Sequence, residues 1–295
     1  MTIPKSQIET WSSQGAIATS KNTYASVKSA VEEIVSPLTH LTVDTYLSGS
    51  YLNDTNVYAE SDVDVIVALR TWNGSGLAYT NLTDEQRAAL EIRTVNFIYA
   101  NFKKEIVQGL QQYYKQGFIK EDNKAVKLLP NGNRRPCDII IAVPFNFYFS
   151  PISNVNKKEG IKFYTLGGDA VINFPKIHSE NATTIHQNSN TKFKGVVRVF
   201  KNIRNHLATN NGFNMKSAPS YFLECFIGNV PTTQYTTDLY ESFINVAKYL
   251  LNNGWDNYYC LNKIRPLFGD SNEQWNKPDA QNFLAALVNL HDNWK

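Results

Sequence analysis

Two aspartates separated by one residue, Asp62 and Asp64, stand at the head of the apolar run Val63-Asp64-Val65-Ile66-Val67-Ala68-Leu69. Side chains alternate across a β-strand, so residues two apart share a face. Two carboxylates on one face repel unless a cation sits between them. The alternative is a pair of solvated aspartates on an exposed strand, which the apolar character of the run argues against. A third acid, Asp138, opens another apolar stretch, Asp138-Ile139-Ile140-Ile141-Ala142-Val143. An ionised carboxylate there needs a partner, because burying it alone is costly. Capping a turn, or pairing with Arg134 or Arg135, would also serve it. If the two strands lie side by side, the three acids converge on one point. Such oxygen donors suit magnesium, a hard cation that keeps some of its waters for substrate phosphates.

The elements needed to position these acids can be read from pattern. Apolar residues recur at helical spacing from about Ser6 to Val35, and Pro37 stops that helix. A short strand near Leu41–Tyr46 leads into Gly49-Ser50, which precedes the Asp62 strand by 12 residues. Gly49 lets the backbone approach a ligand, and Ser50 adds a hydroxyl where backbone N–H groups can hold phosphate oxygens. A Gly-Ser pair alone is common in loops. Ahead of a two-carboxylate strand and a later acidic strand it is far more specific. Thr83 and Gln86 give a capping-box start to a second helix running to about Tyr114. Strands near Ala125–Leu129 and Cys137–Val143 flank the turn Pro130-Asn131-Gly132-Asn133. Phe163–Leu166 and Ala170–Ile172, around Gly167-Gly168, suit a second hairpin. From about Thr191 the pattern is helical. The division is a mixed α/β first half (1–175, with the N-terminal helix) and a helical second half (176–295).

Composition sets the outer bounds. The chain of 295 residues carries 42% hydrophobic and 13% aromatic residues, an ordinary globular content. A net charge of +3 is too small to demand a nucleic-acid partner, and nucleic-acid activation is not indicated. No apolar run approaches the ~20 residues of a membrane span. Met1 to Gln7 lacks the charged start and apolar stretch of a signal peptide. Three widely spaced cysteines, Cys137, Cys225 and Cys260, fit reduced thiols and no zinc cluster. The expected location is the cytoplasm. The five histidines, at 40, 178, 186, 206 and 291, have no ligand or nucleophile-partner spacing and receive no catalytic role.

Gly49-Ser50, Asp62-Val63-Asp64 and the later Asp138 resemble the polymerase-β-like nucleotidyltransferase superfamily. Within it, Gly49-Ser50-Tyr51, Thr55-Asn56-Val57, Ser61-Asp62-Val63-Asp64-Val65 and Asp138 with Val143-Pro144 are similar to the CD-NTases, bacterial relatives of cyclic GMP-AMP synthase. The likeness continues through Phe193-Lys194, Val197-Arg198, Lys201, Arg204 and Ser220-Tyr221-Phe222-Leu223-Glu224, and on to the stretch from Leu267 to Trp294. The zinc thumb of the animal enzyme is missing, because no His/Cys cluster has ligand spacing.

The resemblance implies an α+β fold: a polymerase-β-like nucleotidyltransferase core (a mixed sheet with flanking helices), a C-terminal helical lobe, and an active site in the cleft between them. It implies two Mg²⁺ ions, or Mn²⁺ in their place, held by Asp62, Asp64 and Asp138, with Asp138 nearest the attacking ribose hydroxyl. Substrates would be nucleoside triphosphates, ATP among them, joined into a cyclic di- or oligonucleotide messenger of anti-phage (CBASS) defence. Another acceptor (small molecule, RNA end or protein) and a non-catalytic nucleotide-binding scaffold stay open, as does a regulatory protein partner.

The helical half supplies candidate substrate contacts. From Lys192 to Leu207, Phe193, Val196, Val197, Phe200, Ile203 and Leu207 form an apolar stripe, and Lys194, Arg198, Lys201 and Asn205 share another face. A basic helix face is often simply solvated. By resemblance Lys201 binds the donor triphosphate, with Lys194 and Arg198 beside it. Ser217 is a candidate cap, and Pro219 a first-turn residue, for the next helix. At that helix N-terminus Ser220 can donate to a phosphate. Tyr221 can stack on a nucleobase or pack in the core. Asn146, Tyr148 and Asn173 are candidates for base choice by location.

Overall fold

Helical spacing runs unbroken through residues 6–35, yet the chain there folds as two helices, α1 (Lys5–Ser12) and α2 (Ala18–Val35). The break is made by Gly15, whose N–H donates to the Asn56 carbonyl at 3.1 Å. A Cβ on Gly15 would lie 2.9 Å from the carbonyl carbon of Val57, so only glycine fits this approach. The computed structural model describes residues 2–15, 17–38, 41–58, 62–70, 84–148, 157–271 and 273–294, with side chains at 84–97, 148 and 157 left aside. Thr83 of the expected capping box, Ser61, His40 and the Tyr148 side chain fall outside the described residues.

Backbone proximity divides the chain into two units: residues 17–48 and 62–175 in one, residues 1–16, 49–61 and 176–295 in the other. The sequence division set residues 1–175 against 176–295. The first helix and the Gly49–Ser61 segment, expected in the first domain, cluster instead with the helical half.

The first unit is built on a mixed sheet whose main path is β1 (Val43–Ser48), β2 (Val63–Leu69), β5 (Cys137–Tyr148), β4 (Val126–Leu128) and β3 (Ile119–Glu121). The second half of β5 pairs with β6 (Lys157–Tyr164), which pairs with β7 (Ala170–Asn173). Only β2 and β5 run parallel; the other described pairs are antiparallel. Apart from Asp64, β2 is buried along its whole length, as an interior strand covered on both faces must be. Helix α2 and helix α4 (Asp84–Tyr114) pack on each other and on the sheet. The three-residue β3 carried too little pattern to be read in advance.

The second unit is helical. A short turn, α3 (Gly49–Leu52), is followed in this unit by α5 (Pro175–Asn188), α6 (Phe193–Asn211), α7 (Ser220–Ile227), α8 (Leu239–Asn252) and α9 (Lys277–Asp292). Its core gathers Phe193, Val196, Val197, Phe200 and Ile203 of α6 with Phe226, Phe243, Phe283 and Trp275. The expected apolar stripe of α6 is thus the centre of a core. The cap of α7 is Pro219 with no side-chain bond, a correction to Ser217. Ser217 instead closes a short 3₁₀ turn, and its carbonyl accepts from the Trp275 indole at 2.7 Å.

Gly15→Val forces a β-branched side chain against the Val57 backbone. It is expected to lower unfolding stability by about 1–3 kcal/mol, the usual scale for overpacking. An unchanged urea midpoint would show that the chain can re-route there.

Candidate active site

The sheet register sets the acids in a row. Asp64 is the Cα partner of Ser48 on β1 and of Asp138 on β5. Asp138 in turn partners Lys127 on β4, and Lys127 partners Lys120 on β3. Residues directly opposite one another in a ladder share a face. One face therefore presents Ser48, Asp64, Asp138, Lys127 and Lys120 in lateral order, two acids beside two cations. Asp62 precedes β2 at the same edge and is exposed, while Asp64 and Asp138 are half-buried. Cys137 points the other way and is buried, as expected of its neighbour position.

Like charges directly across a ladder destabilise it, so this row calls for a cation. Lys127 supplies part of one: its ammonium lies 3.9 Å from Asp138 and 3.2 Å from Asp122. Arg134, a candidate partner for Asp138 from sequence, instead donates to the Leu129 carbonyl and sits 4.7 Å from the centre of the Tyr114 ring. Burial raises the Asp138 carboxyl above the ordinary carboxylate range; Lys127 pulls it down and Asp62 pushes it up. Among the described residues, no three Asp, Glu, His or Cys side chains are already gathered to hold an ion. The backbone places Asp64 and Asp138 side by side, and the donor set is all oxygen, which fits a hard divalent cation.

In the helical unit, Gly49 has φ of +60°, a left-handed value that glycine adopts without strain, and it opens α3. Ser50 is half-buried, and its carbonyl accepts from Thr55 N–H at 2.9 Å.

The cation row of α6 is where the structure departs most from expectation. Lys194 donates to the Asp54 carboxylate at 2.8 Å. Arg198 donates to the carbonyls of Asp54 and Ser12. Lys201 is 0% exposed and donates to the Thr55 carbonyl at 3.1 Å, the Thr55 hydroxyl at 3.2 Å and Glu224 at 2.6 Å. This face was read as open countercharge for a triphosphate. Here its three cations are committed to the segment after the Gly-Ser turn, and Lys201 would have to leave two partners to meet a phosphate.

Glu224 is the residue that sequence reasoning quoted but gave no role. Its fully buried carboxylate also accepts from Thr55 Oγ1, from Asn53 Nδ2 at 3.0 Å and from His178 Nε2 at 3.0 Å. Burial pushes its carboxyl up, but the Lys201 charge and the His178 hydrogen bond outweigh this and hold it well below the usual range. The available signal was a lone acid inside the apolar run Tyr221-Phe222-Leu223-Glu224-Cys225-Phe226-Ile227. His178, set aside in sequence, is buried and joins this cluster; its ring lies 5.2 Å from that of Tyr221.

Ser220 and Tyr221 open α7, both half-buried. The Ser220 hydroxyl accepts from the Arg204 guanidinium at 3.1 Å, which also donates to the Ala218 carbonyl at 2.8 Å. Tyr221 packs against His178 and Phe222, so the core role left open for it is at least partly filled. Of the base-choice candidates, Asn146 is half-buried on β5, and Asn173 spends its side-chain oxygen on the N–H of Phe174.

The raised Asp138 carboxyl has a defined sign. The folded chain holds this proton more tightly than the unfolded one, so the group favours folding at low pH and loses that contribution as pH rises through its folded value. In the metal-free protein Asp138 is expected to titrate above ~3.9, the ordinary aspartate value. Lys127→Met should move it higher still, as read by carboxyl-carbon NMR. A value at or below the ordinary one in both proteins would contradict the electrostatics described here.

With this geometry in place, comparison with known proteins assigns the family. Residues 180–292 match the cGAS/DncV-like nucleotidyltransferase C-terminal helical domain. The chain is 32% identical to a cyclic UMP-AMP synthase of Rhodothermus marinus over 298 aligned residues, covering 100% of this chain and 99% of that protein. It is 27% identical to the cyclic nucleotide synthase CdnE01 of Staphylococcus haemolyticus, covering both chains in full (100% of each). The solved Rhodothermus marinus CdnE c-UMP-AMP synthase with Apcpp and Upnpp superposes with a TM-score of 0.82 at 29% identity, covering 99% of this chain and 97% of that one. Among the described residues no helix is long and apolar enough to cross a membrane. The mixed sheet with flanking helices and the helical C-terminal region are the expected α+β fold, and the chain belongs to the cGAS/DncV-like nucleotidyltransferases, the CD-NTases.

Proposed function

We propose that this nucleotidyltransferase joins nucleoside triphosphates into a cyclic di- or oligonucleotide, releasing pyrophosphate, in anti-phage (CBASS) signalling. The observation that carries the reading is the parallel register of β2 on β5, which sets Asp64 beside Asp138 on one face. The names of the relatives support the product class, and the Rhodothermus marinus name makes ATP and UTP the first pair to test.

Asp62, Asp64 and Asp138 are the residues that would hold Mg²⁺. When bound, the metal supplies countercharge to the triphosphate and makes a ribose hydroxyl easier to deprotonate. Asp138 is assigned to the side of the attacking hydroxyl. A carboxylate that burial makes more basic suits receiving its proton. The ribose oxygen bonds to the α-phosphorus of the donor as the bond to the bridging α–β oxygen breaks, and pyrophosphate departs. Gly49 and Ser50 are assigned to the triphosphate, the glycine for its left-handed backbone and the serine for its hydroxyl. Ser220 is assigned to a phosphate and Tyr221 to a base. Lys201 acts through Thr55 and Glu224. A second transfer on the reoriented linear product closes the ring, and no covalent enzyme intermediate is needed.

The test is incubation of the pure chain with labelled ATP and UTP, Mg²⁺ and a phosphatase, with mass spectrometry of the product. A phosphatase-resistant cyclic product supports the reading. Label on an added acceptor, or turnover of none of the four common triphosphates, overturns it. Asp62→Ala and Asp138→Ala are each expected to lower pyrophosphate release by about 10²–10³-fold or more, the scale for groups that act on transition-state charge. Circular dichroism should be unchanged, and chelation of the metal should reproduce the loss. Near wild-type rates in either variant would remove the aspartates from the chemistry.

A further inference from the structure

We propose that Glu224 is a positioning residue for nucleotidyl transfer: it sets the Gly49-Ser50 turn through Asn53 and Thr55. This rests on the assignment of Gly49 and Ser50 to the triphosphate.

The turn is tied to the residues that follow it. Asn53 N–H donates to the Gly49 carbonyl at 3.2 Å, and Thr55 N–H donates to the Ser50 carbonyl at 2.9 Å. Whatever fixes residues 53 and 55 therefore fixes the Gly-Ser backbone. Asp54 between them has φ of +55°, a left-handed value that aspartate tolerates but does not favour, so the segment needs outside ties.

Glu224 supplies those ties from inside the helical unit. It takes the Asn53 amide, the Thr55 hydroxyl and Lys201, which in turn holds the Thr55 carbonyl. Its remaining hydrogen bond comes from His178, whose ring packs on Tyr221. One carboxylate thus anchors the proposed phosphate turn and the side chain behind the proposed base contact. From the more exposed side, Lys194 and Arg198 hold Asp54.

Stability alone does not account for such a cluster. A buried ion pair recovers little more than its desolvation cost, and apolar residues of the same size often hold two helices as well. Apolar side chains cannot grip a backbone carbonyl, an amide and a hydroxyl at once. The buried charges on α6 and α7 are explained by what they hold in place.

Thr55→Val tests this mildly, because it removes the hydroxyl and keeps the shape; Thr55→Ser restores the hydroxyl. Glu224→Gln is the harsher companion. Hydrogen exchange of residues 49–56 and the kinetics with ATP and UTP are measured on the full chain. Thr55→Val is expected to speed exchange across 49–56 and to raise KM about tenfold or more with kcat within about twofold, the scale of losing a hydrogen bond to a charged group. Thr55→Ser is expected to return both toward wild type. Unchanged exchange at 49–56 in Thr55→Val, or a fall in kcat with KM unchanged, overturns the proposal. So does failure of Thr55→Ser to rescue. If Glu224→Gln does not fold, the threonine pair decides alone. If the wild-type chain binds triphosphate but releases no pyrophosphate, the functional reading fails, and the anchor is judged on exchange and triphosphate Kd in the same variants.

Discussion

A carboxylate taken out of water has to be neutralised where it stands. This chain meets the demand in two opposite ways. Glu224 is wholly buried and fully served by its own chain: an ammonium, an amide, a hydroxyl and an imidazole converge on it. Asp64 and Asp138 are only half-buried and share a ladder position, and the Lys127 ammonium lies at the longer distance of 3.9 Å from Asp138. The first arrangement is closed and reads as architecture. The second is more open to solvent, as the proposed site for a metal and a triphosphate would be.

Lys127 occupies an informative place in that second arrangement. It stands next in the ladder after the two acids and is shared with Asp122. Its charge interacts favourably with those of Asp122, Asp138 and Asp62. Burial is the leading cause of the raised Asp138 carboxyl; Lys127 pulls it down, and Asp62 and Asp122 push it up.

Much of this was legible in residue types and spacing. The Asp-x-Asp strand, the acid at the head of β5 and the apolar stripe of α6 follow from periods of two and 3.6. The side-by-side placement of Asp64 and Asp138 did not, because parallel register depends on crossover geometry that no local pattern records. The basic face of α6 shows the limit most clearly. Spacing says that Lys194, Arg198 and Lys201 share a side; it cannot say whether that side meets solvent, substrate or the chain's own carbonyls. Glu224 did leave a trace, a charge in an otherwise apolar helix, but its partners lie far away in sequence. The break at Gly15 was invisible to periodicity because its cause is one close approach to Val57.

That distance in sequence has a consequence for how the chain is made. Asn53 and Glu224 are 171 residues apart, and Thr55 and Lys201 are 146 apart. At the usual pace of synthesis, about 5–20 residues per second, the turn leaves the ribosome roughly ten to thirty seconds before its anchors do. Contacts of such long range also close slowly. The Gly-Ser turn therefore takes its final shape late, and a chain interrupted before Glu224 has the signature residues without the scaffold that orders them. Possession of the motif and readiness to use it become separate events in the life of each molecule.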